Sequence, residues 1–200
     1  MDELWRKRVT LNGKIVRLEP LSETHVKGLA IAGKDKSIWK YMLYGEPITE
    51  ESMQNWVQDI LKRRDSGEDN PFAVIHLATN KVIGSTRYLE MKPEHKGLEI
   101  GGTWFAVDYQ RTGVNTECKY LLLKYAFEVL NCIRVQFKTD LRNLRSQKAI
   151  KRLGAVKEGI LRNHMITPGG TIRDSVYYSI LDGEWSQIKP DLENKLIREY

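Results

Sequence analysis

The chain reads as an α+β fold: a mixed, mostly antiparallel twisted sheet with a central parallel strand pair and helices on both faces. Three observations predict it. Stretches of two-residue apolar alternation come as hairpin pairs both early and late in the chain. Between them, a strand, a long striped helix and a second strand follow one another. A helix of that length carries the chain back to the same edge, so these two strands run parallel. The 200 residues, 41% hydrophobic and 29% charged, suffice to bury one core without cross-links. Residues 1–200 read as a single domain, with a core over about 12–184 and a C-terminal helical extension over 185–200.

The elements follow in order. "KIVRLEPL" alternates apolar and charged residues and predicts a strand, and "HVKGLAIAGK" a short helix. "TEESMQNWVQDILKRR" predicts a longer helix, capped by Thr49, acidic in its first turn and closed by Lys62, Arg63 and Arg64, an order that complements the helix dipole. Its stripe is Met53, Trp56, Val57, Ile60 and Leu61. "FAVIHLAT" and "VIGSTRYLEM" form a hairpin across "NK". "LEIGGTWFAV" is a strand interrupted by Gly101 and Gly102, a pair that predicts a bulge or a close approach. "CIRVQFKT" places Ile133, Val135 and Phe137 on one face and Arg134, Gln136 and Lys138 on the other. "NLRSQKAIKRLG" is a helix with Asn143 as N-cap and Gly154 as its stop. A last hairpin, "AVKEGILRNHMI" with "RDSVYYSIL", precedes a helix over "PDLENKLIREY" that starts at Pro190.

Composition sets limits. No apolar run approaches the roughly 20 residues of a membrane span, and "MDELWRKRVTLNGK" lacks an apolar signal core. Cys118 and Cys132 show no metal or redox spacing, and the four histidines show no metal-ligand spacing, so no metal is expected. Cytoplasmic location with reduced thiols is the expectation. The net charge of +6 suits phosphates, nucleotides, RNA or a polyanionic cofactor, but its even spread reads first as a solvated basic surface.

One junction stands out: "DYQRTGVNTECKYLLLKYAFEVL" runs from a polar loop into a helix striped by Cys118, Leu122, Tyr125, Ala126 and Val129. The first N–H groups of that helix have no helical partner, and the dipole adds positive charge. That is an anion site suited to phosphate, with Gly113 allowing a tight turn and Arg111 beside it. Asn115 or Thr116 as a plain N-cap accounts for the same residues without a ligand.

"WFAVDYQRTGVNTE", followed by "TDLRNLRSQKAIKRLGAVKEG", resembles the GNAT superfamily of acetyl-CoA-dependent N-acetyltransferases and, within it, the ribosomal-protein N-terminal acetyltransferases of RimJ/RimL type. The family pattern Gln/Arg-x-x-Gly-x-Gly/Ala is met by Gln110, Arg111, Thr112, Gly113, Val114 and Asn115, with Asn115 departing from glycine or alanine. The resemblance extends from "LNGKIVRLEPL" to "RDSVYYSILDGEW". It implies that the central parallel pair is splayed. The cofactor pyrophosphate then lies on amides from Arg111 to Thr116. The pantetheine arm lies between "TWFAV" and "CIRVQF", with Phe105 and Val107 as backbone contacts.

The implied reaction is direct attack by an amine on the thioester in a ternary complex, with a backbone N–H near the bulge receiving the oxyanion. Ser146 is implied as the donor to the departing thiolate, and Asn143 as both cap and holder of the arm or a water. Glu99 is the implied base, acting through water; His164, Glu158 and Asp174 are alternatives. Trp39, Tyr41 and Tyr44 are candidates to line an acceptor pocket, or to pack the core. The implied partners are acetyl-CoA and an amine acceptor, either a protein N-terminus or a small molecule, with nucleic acid only by way of a ribosomal substrate. A homodimer through an edge strand or the terminal helix stays open. The rival readings are a non-catalytic module of this fold that binds CoA or RNA, and an RNA-associated factor driven by charge.

Overall fold

The computed structural model describes residues 3–198. Among these residues eight strands form one sheet: β1 (Leu11–Asn12), β2 (Val16–Pro20), β3 (Asn70–His76), β4 (Lys81–Lys92), β5 (Gly97–Phe105), β6 (Arg134–Asp140), β7 (Val156–Ile166) and β8 (Ile172–Leu181). Their order is β1-β2-β3-β4-β5-β6-β8-β7. Every neighbouring pair is antiparallel except β5 and β6. The helices are α1 (Glu3–Arg6), α2 (Val26–Ala32), α3 (Glu50–Asp65), α4 (Gly113–Glu128), α5 (Leu144–Arg152) and α6 (Asp182–Ile197).

Side-chain alternation sorts the core into two layers. On β3, Phe72 and Val74 join the cluster beneath α4, α5 and α6, whereas Ala73 and Ile75 join the cluster beneath α2 and α3. The sheet is therefore covered on both faces. The expected face of α3 is the buried one: Met53, Trp56, Val57 and Ile60 each lose their contact with water, worth roughly 1.5–3 kcal/mol for a large apolar side chain. Thr49 starts that helix through Ser52 N–H, 3.1 Å from Thr49 Oγ1. On α4 the buried stripe is Val114, Cys118, Leu122, Leu123, Ala126 and Phe127. Val129 falls beyond the helix end and is exposed, and Ile133 precedes β6 and is exposed as well.

One charged residue on the inner side of α4 has a structural task. Glu117 is buried, and its carboxylate accepts from the N–H groups of Lys14, Ile15 and Val16 at 2.9, 2.7 and 2.7 Å. This fastens the turn between β1 and β2 onto the helix.

The terminal helix differs from its sequence-based expectation. It starts at Asp182, and Pro190 lies inside it. Glu184 Oε2 accepts the Leu181 N–H at 2.8 Å and so closes the helix start well before the proline. Pro190 itself is exposed, as is Ser186, whose carbonyl the ring leaves without a helical donor, so water can serve it. Trp185 and Leu192 belong to the main core cluster. Glu199 and Tyr200, the end of the expected helix, lie outside the described residues.

The parallel pair positions the site. It holds three registered pairs: Gly97 with Arg134, Leu98 with Val135, and Glu99 with Gln136. Beyond them β5 continues paired only to β4, and β6 only to β8. The two strands part, and the sheet opens between them.

Candidate active site

A cavity of about 1540 Å³ occupies this opening. Its walls come from both faces of the sheet: Lys119 and Phe137 on the α4 side, and Arg87, Glu99 and Arg173 on the other. On the second side the sheet contributes an unusual run of charge. Alternation explains it, because Leu98 and Ile100, Val135 and Phe137, and Val176 and Tyr178 all point into the α4 core. Glu99, Lys138 and Arg173 point the opposite way.

The glycine pair makes a β-bulge. Ser85 pairs with Trp104 and Arg87 with Gly101, so three steps on β5 face two on β4. Gly102 takes φ +57°, and a Cβ there would lie 2.7 Å from Arg87 Nε and 2.9 Å from Tyr44 Oη. A side chain at this point would have to push both groups aside on a backbone that favours glycine.

Glu99 is 2% exposed, so its carboxyl is enclosed by the site and does not face solvent. Gln136 Nε2 donates to its Oε2 at 3.1 Å, and Lys138 Nζ stands 3.4 Å away. Burial raises the affinity of Glu99 for a proton above that of an ordinary carboxylate, with Lys138 and Gln136 acting against the shift. Across the cavity, Asn143 Oδ1 caps α5 by accepting the Ser146 N–H at 3.0 Å, and both residues line the space.

The loop before α4 is built differently in detail from its sequence-based expectation. Thr112, not Asn115 or Thr116, is the N-cap; its Oγ1 accepts the Val114 N–H at 3.3 Å and donates to the Tyr109 carbonyl at 2.8 Å. The left-handed turn falls on Arg111, at φ +63°, while Gly113 opens the helix. Gln110 braces the loop from within, its Nε2 donating to the Phe105 carbonyl at 3.0 Å. Phe105, Gln110, Arg111, Thr112 and Asn115 line the cavity. The Val114 side chain is core and that of Thr116 is buried, and Gly113, Val114 and Thr116 are not among the residues that line the cavity. Val107 sits exposed in a short turn after β5.

Sequence reasoning missed the cations that α5 brings to this end. Arg145 donates to Gln110 Oε1 and Arg152 to Thr116 Oγ1, and Lys148 lies between them on the same helix. Their spacing of three and four residues was the available signal. It also missed Lys119, which is 6% exposed on α4 and donates to the hydroxyls of Thr103 and Thr86. Burial lowers its pKa to about 8.

The other candidates lie elsewhere. His164 bonds Ser175 Oγ at 3.0 Å and borders a separate shallow concavity with Asp174. Burial, then the charges of Lys138 and Arg173, lower its proton affinity. Glu158 is held by Arg134 and Ser179. Trp39 is core, its indole N–H donating to the Gly33 carbonyl at 2.8 Å, whereas Tyr41 and Tyr44 do line the cavity. Both cysteines are buried; burial pushes the Cys132 thiol up to about 12.

Residues 16–156 match the profile of the acetyltransferase (GNAT) domain family. The chain belongs to this family. It is 30% identical to the uncharacterized N-acetyltransferase YnaD of Bacillus subtilis over 152 residues, 76% of this chain and 85% of that one. A GCN5-related N-acetyltransferase from Brucella melitensis superposes with a TM-score of 0.88 at 30% identity, covering 94% of this chain and 85% of that chain. The fold also resembles that of Mycobacterium smegmatis RimJ, solved in complex with CoA-disulfide, with a TM-score of 0.79 at 17% identity over 96% of each chain. The protein is thus an N-acetyltransferase of a family that uses acetyl-CoA, in a GNAT fold with the splayed parallel pair. No helix of the described residues is long and apolar enough to cross a membrane.

Proposed function

We propose that the cavity between β5 and β6 is where an acetyl group passes from acetyl-CoA to a primary amine, on a protein N-terminus or a small molecule. The chemistry of the lining fits the donor. The first N–H groups of α4 apart from that of Val114, which Thr112 caps, together with Arg111, Arg145 and Arg152, suit a pyrophosphate. The unpaired edges of β5 and β6 beyond Glu99 suit the amides of a pantetheine arm. Bound there, acetyl-CoA supplies an activated thioester carbonyl.

The chain's own residues then manage protons and position. An alkylammonium holds its proton to a pKa of about 10.4 and an α-ammonium to about 7.7, so a base matters most for the former, but either nitrogen must shed a proton on becoming an amide. Glu99, buried and raised in proton affinity, takes that proton directly or through one water as the amine nitrogen bonds the carbonyl carbon. The Ser146 hydroxyl donates a hydrogen bond to the sulfur as the C–S bond breaks and CoA leaves as the thiolate, and Asn143 fixes Ser146 at the first turn of α5. Residues 1–200 act as one acetyltransferase domain, and the proposed setting is cytoplasmic, where both thiols stay reduced.

The observation that carries this reading is the buried carboxylate of Glu99 at the last registered pair before the strands part. Glu99→Gln should lower kcat by about 10²- to 10⁴-fold with little change in the KM for acetyl-CoA. The wild-type rate should also fall with acidity through a pKa above 4.5, since Glu99 must be ionised to accept a proton, and the variant should lose that limb. CoA release followed with a thiol reagent from pH 4.5 to 9 checks both. An unchanged profile in the variant would remove Glu99 from the reaction.

A further inference from the structure

The wall of the cavity on the face opposite α4 holds positive charge that proton transfer does not use. Arg173, on β8, is 5% exposed and lines the cavity. Its Nε donates to Ser175 Oγ at 3.1 Å. Among the described residues no carboxylate forms an ion pair with it. Asp140, on the neighbouring strand, is taken by Arg142 through two bonds of 2.9 and 2.6 Å. Arg87, 6% exposed, pairs with Asp69 at 3.2 Å, but Asp69 is shared with Arg63, which binds it at 3.1 and 3.2 Å. One buried carboxylate thus serves two guanidinium groups.

The unmet hydrogen-bonding atoms around Arg87 are all donors. Arg87 Nε and Nη1 and the indole Nε1 atoms of Trp56 and Trp104 are buried and make no hydrogen bond among the described residues. For Nη1 the contact with Asp69 is an ion pair out of hydrogen-bond alignment. These groups form one patch: Trp56 and Trp104 rings lie 6.0 Å apart, Tyr44 lies 5.9 Å from Trp56, and the Arg87 guanidinium sits 5.1 Å from the Tyr44 ring. Arg87 Nη2 does donate to Tyr44 Oη at 2.9 Å, but a buried charge with a shared partner is costly, and each orphaned donor adds to that. These buried donors keep the wall electropositive, and a carboxylate in the cavity, which offers only acceptors and a negative charge, matches that sign. A second cation would oppose it. On the same wall Glu99 and Glu90 supply the opposite sign.

We propose that the acceptor carries a carboxylate as well as its amine: the amine approaches Glu99, and the carboxylate binds the Arg173 guanidinium, with Arg87 reinforcing the field behind it. This rests on the acetyl-transfer reading of the cavity. The same chemistry is presented by a free amino acid and by a peptide with an acidic first residue.

CoA release at fixed acetyl-CoA separates these cases. The acceptors are glutamate, its diamide, peptide amides beginning with Asp, Asn or Lys, and spermidine. Acidic acceptors should exceed their neutral amides in kcat/KM by about 10- to 100-fold, the scale of one or two hydrogen bonds to a charged group. The favoured arm, amino acid or peptide, names the source. Arg173→Gln should bring the acid-to-amide ratio towards one, with the loss in the acceptor KM rather than in that of acetyl-CoA. Should that variant fold poorly, the wild type still decides: glutarate, a carboxylate without an amine, should inhibit competitively against the acceptor and not against acetyl-CoA. Turnover that ignores acceptor charge, or that favours spermidine, overturns this proposal alone. Absence of CoA release with every amine, together with no stabilisation by acetyl-CoA, overturns the acetyl-transfer reading and this proposal with it.

Discussion

Lys119 is a costly side chain to bury in the site. Its ammonium is buried among hydroxyls, with no ion pair among the described residues, and its pKa is lowered to about 8 from an ordinary 10.5. Between those two values the unfolded chain binds more protons than the folded one, so stability contributed by this group rises with pH across that window. Below about pH 8 the folded state carries the full cost of the charge, on the order of 3 kcal/mol. Lys119→Met keeps the length of the chain and removes the charge, while the Thr86 and Thr103 hydroxyls still bond each other at 2.8 Å. The variant should be more stable than wild type at pH 7 by about 1–3 kcal/mol, and the difference should shrink towards pH 10 in urea melts. A variant less stable than wild type would mean that the ammonium is solvated or paired. None of Lys119, Arg87 and Arg173 was legible as a buried cation. On a strand or a helix a single basic residue in alternation looks like a solvent face. Whether it is covered depends on what packs over it, which no local pattern carries.

Elements were legible where local chemistry sets them. The bounds of α3 follow from the Thr49 cap and its basic last turn, and those of α5 from Asn143 and Gly154. The proline signal for the last helix misled, because Pro190 is tolerated on an exposed face once Glu184 has capped the true start. The loop pattern placed the α4 terminus, but not the left-handed turn, since arginine rarely takes one. The glycine pair announced its bulge, and this can be tested at element scale. Gly102→Ala meets both a left-handed backbone and the Arg87 and Tyr44 contacts, whereas Gly170→Ala, at φ +77° with open space around it, meets only the first. Strain of the backbone alone costs roughly 1–2 kcal/mol. The Gly102 variant should lose more stability than the Gly170 variant and raise the acceptor KM, as read by paired denaturation curves and initial rates. Equal losses would show that Arg87 and Tyr44 yield freely.

For the whole molecule, the net charge of +6 is spread thinly in the sequence but gathered in the fold. Arg111, Arg145, Lys148 and Arg152, from two separate segments, line the same cavity, and Arg145 and Arg152 bind the α4 loop directly. A polyanion bound there stabilises the folded chain by mass action, about 2.7 kcal/mol at one hundred times its Kd. Thermal melts with acetyl-CoA should show that gain and lose part of it in high salt. ATP or NAD matching acetyl-CoA in effect would reduce the cavity to a general nucleotide site.

The bulge at Gly102 also settles a matter of parity. Before it, the even-numbered residues Leu98 and Ile100 face α4; after it, the odd-numbered Phe105 does, and Trp104 turns to the opposite layer. The inserted residue thus lets one strand send Leu98, Ile100 and Phe105 to one core while Glu99 and Trp104 share the other side. Removing a single residue there would leave the composition of the strand almost untouched and exchange the addresses of Trp104 and Phe105.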